Sequence, residues 1–260
     1  MAPVTVGISI AISEKRYAGS RPTVALRNLE AQIAPSEFCV ITGPSGCGKT
    51  TLLNIVAGID RDFVGVLGFE PPNAALPRVG YVFQNPRLLP WRTVRQNVEL
   101  VRPHGYDRRE LAGLLDDVGL ADAADTYPTQ LSGGMARRAA LARAFAIRPD
   151  LLLLDEPFVS LDASAADRLR RLLLRLVKSR PVTVLFVTHD LGEAVEVADR
   201  VLVLSPAPGR IAAEMPISLR REQRRDGDTL AVLRTELARL AGIEPDRSSF
   251  RIRSGGSRLA

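Results

Sequence analysis

Gly43-Pro44-Ser45-Gly46-Cys47-Gly48-Lys49-Thr50, followed by Thr51, is a complete phosphate-binding loop. It stands between an apolar run at residues 38–42 and a pattern that predicts a helix over 52–57, the strand–loop–helix context this motif requires. The glycines keep side chains away, so that successive backbone N–H groups point at phosphate oxygens, and the positive end of the helix adds to them. Lys49 is placed to reach the β- and γ-phosphates of a nucleotide triphosphate, and Thr50 to set its hydroxyl on Mg²⁺. The chain therefore reads as an α/β protein built around a nucleotide.

Downstream, Leu131-Ser132-Gly133-Gly134 opens a second predicted helix. Ser-Gly-Gly at such a start is another anion-binding device. One phosphoryl site needs one cradle. Two in one chain make sense if each closes over the nucleotide held by a second copy, which implies a homodimer in the nucleotide-bound state. Asp162, in Ser160-Leu161-Asp162, then lies at the seam between copies. Asp155 ends the apolar run Leu151-Leu152-Leu153-Leu154, where a carboxylate is expensive unless a cation such as Mg²⁺ meets it. Glu156 follows, either as the group that polarises an attacking water or as half of a salt bridge. Gln84, after a short strand at 80–83, is placed to sense Mg²⁺ or that water. His189 follows an apolar strand at 182–187 and either meets the γ-phosphate or simply serves its turn. The other histidine, His104, reads as surface loop.

Repeated strand–helix units with short links predict a mostly parallel sheet. Residues 4–12 read as an edge strand followed by a polar turn from Glu14 to Gly19, and residues 58–80 as a small antiparallel excursion. Helices are expected over 108–118, over 134–145 and from Asp162, as N-cap, to about 178. Asp190 and Glu193 read as a capping box, and 201–204 as a further strand. A helical subdomain at about 90–148 is inserted in a cassette of residues 1–221. A tail at 222–260 holds a helix whose Leu230, Leu233, Leu237 and Leu240 pack on its own domain rather than in a coiled coil.

The 260 residues, 46% hydrophobic, suffice for one large core, and no apolar stretch is long enough to span a bilayer. No secretory signal opens the chain, and Cys39 and Cys47 suit a reducing cytosol. The net charge is +6, with arginines at 168, 170, 171, 175, 180, 220, 221, 224 and 225. With 5% aromatic residues there is no basic stripe interleaved with stacking rings, so a solvated arginine face is expected and direct nucleic-acid binding is not.

Taken together, these residues closely resemble the ATP-binding subunits of ATP-binding-cassette transporters. Residues 43–50 match Walker A, Gln84 the Q-loop, 131–134 the signature, 151–156 Walker B with its glutamate, 160–162 the D-loop and His189 the switch histidine. The resemblance further implies that Tyr17 stacks on adenine. Tyr81-Val82-Phe83-Gln84-Asn85-Pro86-Arg87-Leu88-Leu89-Pro90-Trp91, Tyr127-Pro128, Asp155-Glu156-Pro157-Phe158 and Ser205-Pro206-Ala207-Pro208-Gly209-Arg210 look like the importer subfamily for nitrate, taurine and aliphatic sulfonates, with related members for thiamine-precursor pyrimidines. That implies integral permease partners contacted near Leu88–Trp91, an extracytoplasmic solute-binding protein as indirect partner, and a peripheral position on the cytoplasmic face of the inner membrane. Other transporter ATPases of the family, for lipid transport or export, are the neighbouring reading. A soluble relative acting on nucleic acid is disfavoured by the lack of a coiled-coil insertion or second cassette. The chain departs from the family at Met135-Ala136-Arg137-Arg138, where Met-Arg-Gln-Arg is usual and a changed helix surface is expected. The stretch from Thr50 to Gln84 is short.

Overall fold

The computed structural model describes residues 5–19, 22–70, 76–103, 105, 107–225 and 227–242. His104 lies outside them. Two long strands open the chain, β1 (Gly7–Tyr17) and β2 (Thr23–Ile33), and β3 (Phe38–Thr42) leads through the glycine loop into α1 (Lys49–Val56). β4 (Val64–Glu70) and β5 (Val79–Val82) precede the helices α2 (Val94–Glu99), α3 (Arg108–Asp117) and α4 (Gly133–Ala146). Then come β6 (Leu151–Asp155), α5 (Ala163–Ser179), β7 (Thr183–Val187), α6 (Leu191–Val197), β8 (Arg200–Leu204), β9 (Ile211–Pro216) and α7 (Gly227–Leu240).

The main sheet runs β5-β6-β7-β3-β8-β9, parallel except for β9. Alternate residues of its strands feed two cores. Phe38, Val40, Leu152 and Leu154 pack with Phe145 of α4, Leu169 and Leu173 of α5 and Val195 of α6. Cys39, Ile41, Leu151 and Leu153 pack on the other face with Leu52 and Ile55 of α1 and with Ile10 and Leu29 of the antiparallel layer. Coverage on both faces is why these strands read as continuous apolar runs.

The antiparallel layer is ordered β2-β1-β4. β1 is therefore central rather than an edge, and it continues through Glu14–Lys15–Arg16–Tyr17, where a polar turn was expected. The reason is Lys15. Its side chain is only 2% exposed, and Nζ donates to Asp60 Oδ1 at 2.9 Å and to the Asp62 carbonyl at 2.6 Å. Burial alone would lower its pKa, but hydrogen bonding to Asp60 and the charges of Asp60 and Asp62 outweigh that and raise it. The expected antiparallel excursion is β4, paired along β1.

Two further expectations change. Asp190 caps α6, its Oδ1 accepting from Gly192 N at 2.7 Å and Glu193 N at 3.1 Å, but Glu193 does not complete a capping box. Its carboxylate accepts instead from Thr188 Oγ1 at 2.6 Å. Nor is the arginine cluster wholly solvated. Arg224 is buried, and its guanidinium donates to the carbonyls of Val195, Ala198, Ile217 and Leu219, closing the C-terminal end of α6. Helix α7 packs on α6, with Leu237 fully buried and Leu230, Leu233 and Leu240 against the same core. No described helix is long and apolar enough to cross a membrane.

Candidate functional site

Strand β3 stops at Thr42 and the chain turns through Gly43 (φ 151°), Gly46 (φ 77°) and Gly48 (φ 99°) before α1 begins. At Gly48 a Cβ would lie 2.6 Å from Leu26 Cδ2 and 2.9 Å from the Ala25 carbonyl, so the β2 layer presses on the loop from behind. Gly48 supplies no side-chain cap to α1, and no acidic residue stands in its first turn. Its leading N–H groups thus face the open side of the loop with their positive dipole uncompensated. Lys49 bends back so that Nζ donates to the carbonyls of Gly43 at 2.8 Å and Pro44 at 2.9 Å. Residues 43–48, with Pro44, Ser45 and Cys47 between the glycines, therefore curl around one ammonium.

Thr50, on the first turn of α1, donates its hydroxyl to both oxygens of Asp155, at 3.0 and 3.2 Å. Burial raises the pKa of Asp155; the Thr50 hydrogen bond opposes this, while the charge of Glu156 adds to it. A buried carboxylate with a neutral hydroxyl as its hydrogen-bond partner fits a cation ligand. Among the described residues no group of three or more His, Cys, Asp or Glu is placed to hold a metal ion, so a metal here would rest on Asp155 and Thr50 together with neutral oxygen donors and a ligand's own oxygens. Thr51, next on the helix, shares a 3.1 Å hydrogen bond with the Tyr17 hydroxyl, which also donates to Asp60 at 3.3 Å. The half-exposed Tyr17 ring thus stands at the rim of the loop, with Lys15 Nζ 4.6 Å from its centroid.

Sheet register brings the next groups level. Val82 of β5 pairs with Leu154 of β6, and Asp155 with Val187 of β7. Gln84, Glu156 and His189 thus project just past the ends of three adjacent strands. Glu156 has left-handed backbone (φ 45°), and its N–H donates to the Val187 carbonyl at 2.9 Å. Its Oε2 lies 3.1 Å from His189 Nδ1. Gln84 is exposed, and its carbonyl accepts from Arg137 at 3.2 Å.

Ser132 is the N-cap of α4, its Oγ accepting from Met135 N at 3.2 Å. That use leaves the hydroxyl proton free to donate outward. Ser132, Gly133 and Gly134 line a hollow of about 790 Å³ together with Ser160, Asp162, Arg138 and Arg168, and no residue of the 43–50 loop lines it. Asp162 caps α5 by accepting from Ala165 N at 2.9 Å, which holds its pKa below the usual value, with Ser164 assisting. The chain thus carries two separate helix starts, at Lys49 and at Gly133, that open on different surfaces.

Sequence reasoning missed three groups around this site. Asn97 is fully buried and pins the segment before α2, accepting from Leu89 N at 2.8 Å and donating to the carbonyls of Leu89, Arg92 and Thr93. It holds out Trp91, which is 70% exposed. Arg137 and Arg143 of α4 reach into the same region. Arg143 donates to the carbonyls of Pro86 at 2.8 Å and Arg87 at 2.7 Å. Arg137 is half-buried among backbone carbonyls, so the departure after the signature is more than a changed helix surface.

A family model described as ABC transporter matches residues 26–159. Over 233 residues the chain is 47% identical to the aliphatic sulfonates import ATP-binding protein SsuB 2 of Burkholderia lata, covering 88% of this chain and 84% of that one. Over 229 residues it is 42% identical to SsuB 1 of Pseudomonas savastanoi pv. phaseolicola, covering 88% and 93%. Among solved structures, the dimeric bacterial ABC transporter cassette MJ0796 superposes with a TM-score of 0.70 at 30% identity, over 82% of this chain and all of that one. A post-hydrolysis state of the same cassette, bound to ADP and Pi, matches with a TM-score of 0.69 at 28% identity. Sequence and architecture thus lead to one conclusion: the chain belongs to the ABC transporter family, as an ATP-binding, ATP-hydrolysing cassette.

Proposed function

We propose that two copies of this chain close on two ATP molecules, each held between the 43–50 loop of one copy and Ser132-Gly133-Gly134 of the other. The observation that carries this reading is that both cradles are formed on one chain yet line different surfaces. In each site the loop's N–H groups, Lys49 and Thr51 hold the phosphates, and Tyr17 lies along the adenine. Thr50, Asp155 and Gln84 would hold Mg²⁺, which neutralises phosphate charge when bound. Glu156 accepts the proton of the attacking water, and His189, oriented by its contact with Glu156, faces the γ-phosphate. Asp162 stands at the seam. Closure completes the charge-stabilising site and excludes water, tying hydrolysis to a protein motion.

The motion is used for import. The 88–91 segment, held by Asn97 and presenting the exposed Trp91, docks on a membrane permease, placing the chain on the cytoplasmic face of the inner membrane, with a solute-binding protein on the far side. The relatives named above import aliphatic sulfonates, and a sulfonate is the solute this reading favours. The test is a pair of cysteines, Ser45→Cys and Gly133→Cys, in the Glu156→Gln background. ATP should drive a disulfide between copies, and Glu156→Gln alone should bind ATP normally while losing about 10²–10⁴-fold in turnover. Failure to crosslink in trans refutes the sandwich; undiminished turnover refutes Glu156 as base.

A further inference from the structure

We infer that Arg137 is a positioning residue, whose guanidinium fixes the ends of β5 and β6 and the turn before α5 against the signature-bearing end of α4. One nitrogen donates to the Gln84 carbonyl at 3.2 Å and the Pro157 carbonyl at 2.8 Å; the other donates to the Val159 carbonyl. Each acceptor belongs to a segment with a separate task. Gln84 opens the segment leading to the exposed Trp91, Pro157 follows the base Glu156, and Val159 leads to the seam residue Asp162.

The acceptors lie where the backbone most needs a fixed partner. Glu156 (φ 45°) and Ser160 (φ 61°) are left-handed non-glycine residues on either side of 157–159. Such residues persist where their surroundings over-determine them. Burial lowers the Arg137 pKa, its contacts being carbonyls rather than a carboxylate. Holding a half-buried cation on three carbonyls is a geometric task. The planar guanidinium, with five donors in a rigid fork, spans acceptors on three segments, and an ammonium or a single amide does not. Arg143 grips Pro86 and Arg87 further along the helix, so both ends of residues 84–87 are tied to α4. Displacement of the 84–91 segment by a permease is thereby conveyed to Ser132, Glu156 and Asp162 together.

This rests on the roles proposed for Gln84, Glu156 and Ser132. The experiment compares wild type with Arg137→Met, Arg137→Lys and Arg137→Gln in steady-state Mg·ATP hydrolysis, equilibrium binding of a fluorescent ATP analogue, thermal melting, and ATP-dependent dimerisation in the Glu156→Gln background. For Arg137→Met, kcat is expected to fall at least about tenfold, and the ATP needed for half-dimerisation to rise by a similar factor, while monomer affinity for the analogue stays within about twofold. Arg137→Lys should not rescue, and Arg137→Gln, keeping one amide donor, should fall between. Unchanged kcat and dimerisation in Arg137→Met would overturn the inference, as would kcat, affinity and melting temperature falling together. If Arg137→Met does not fold, wild-type turnover in a folded Arg137→Gln overturns it equally. Turnover surviving Glu156→Gln would instead remove the underlying site reading, leaving the two failures distinguishable.

Discussion

Asp155 shows how a site residue sets itself against stability. Its buried carboxyl has a pKa raised above the ordinary 3.8. A raised acid favours its neutral form in the folded chain, so its contribution is favourable below the unfolded value and is lost as pH rises through the folded one. At neutral pH, without a cation, the ionised group therefore weakens the fold. Asp155→Asn should raise the melting temperature of the nucleotide-free chain at pH 7, by roughly 2–4 °C per kcal/mol in a chain of this size, with the gain shrinking toward pH 4. The same variant should lose hydrolysis. Calorimetry across that pH range decides it, and an unaltered or lower melting temperature at pH 7 would contradict the role given to burial. This residue was legible in the sequence because an acid closing an apolar run is itself an anomaly. Lys15 and Arg224 were not, because whether a polar side chain is buried depends on partners far along the chain: Asp60 for Lys15, and the end of α6 for Arg224. Asn97 was missed although its partners Leu89, Arg92 and Thr93 are local, because they are backbone groups that no side-chain pattern marks.

Elements were read well where their periodicity is local. Helix α5 begins after the predicted cap at Asp162, and β6 and β7 lie where the apolar runs stand. The antiparallel layer was harder, because charged residues at Glu14, Lys15 and Arg16 mimic a turn. One connection reaches the site from behind. Gly209 bonds to β2 on both sides, its N–H to the Ala25 carbonyl at 2.9 Å and its carbonyl to the Arg27 N–H at 3.0 Å. A Cβ there would lie 2.0 Å from the Cys47 carbonyl, inside the phosphate loop. Gly209→Ala must shift that loop, and ATP affinity should drop at least about tenfold while the protein melts within several degrees of wild type. Isothermal titration measures it. Wild-type affinity would mean that the loop is held by β3 and α1 alone.

The whole molecule adds what no local pattern contains: the order in which strands sit side by side. A parallel sheet was predictable from alternating strands and helices, but the central position of β3 was not, since apolar composition does not say which neighbours a strand will find. The same scale governs docking. Trp91 is exposed beside the buried peg Asn97, and Trp91→Glu should leave hydrolysis by the isolated chain within about twofold while abolishing co-purification with its permease. Retained co-purification would place the contact elsewhere. Strand order also bears on how the protein is made. β3 emerges early from the ribosome, yet its neighbours β7 and β8 lie about 140 residues and more downstream, roughly 7–28 s later at ordinary rates of translation. Until then an apolar strand waits with both edges open, so the nascent chain will depend on chaperones, and its yield will fall when elongation is slowed between β6 and β7.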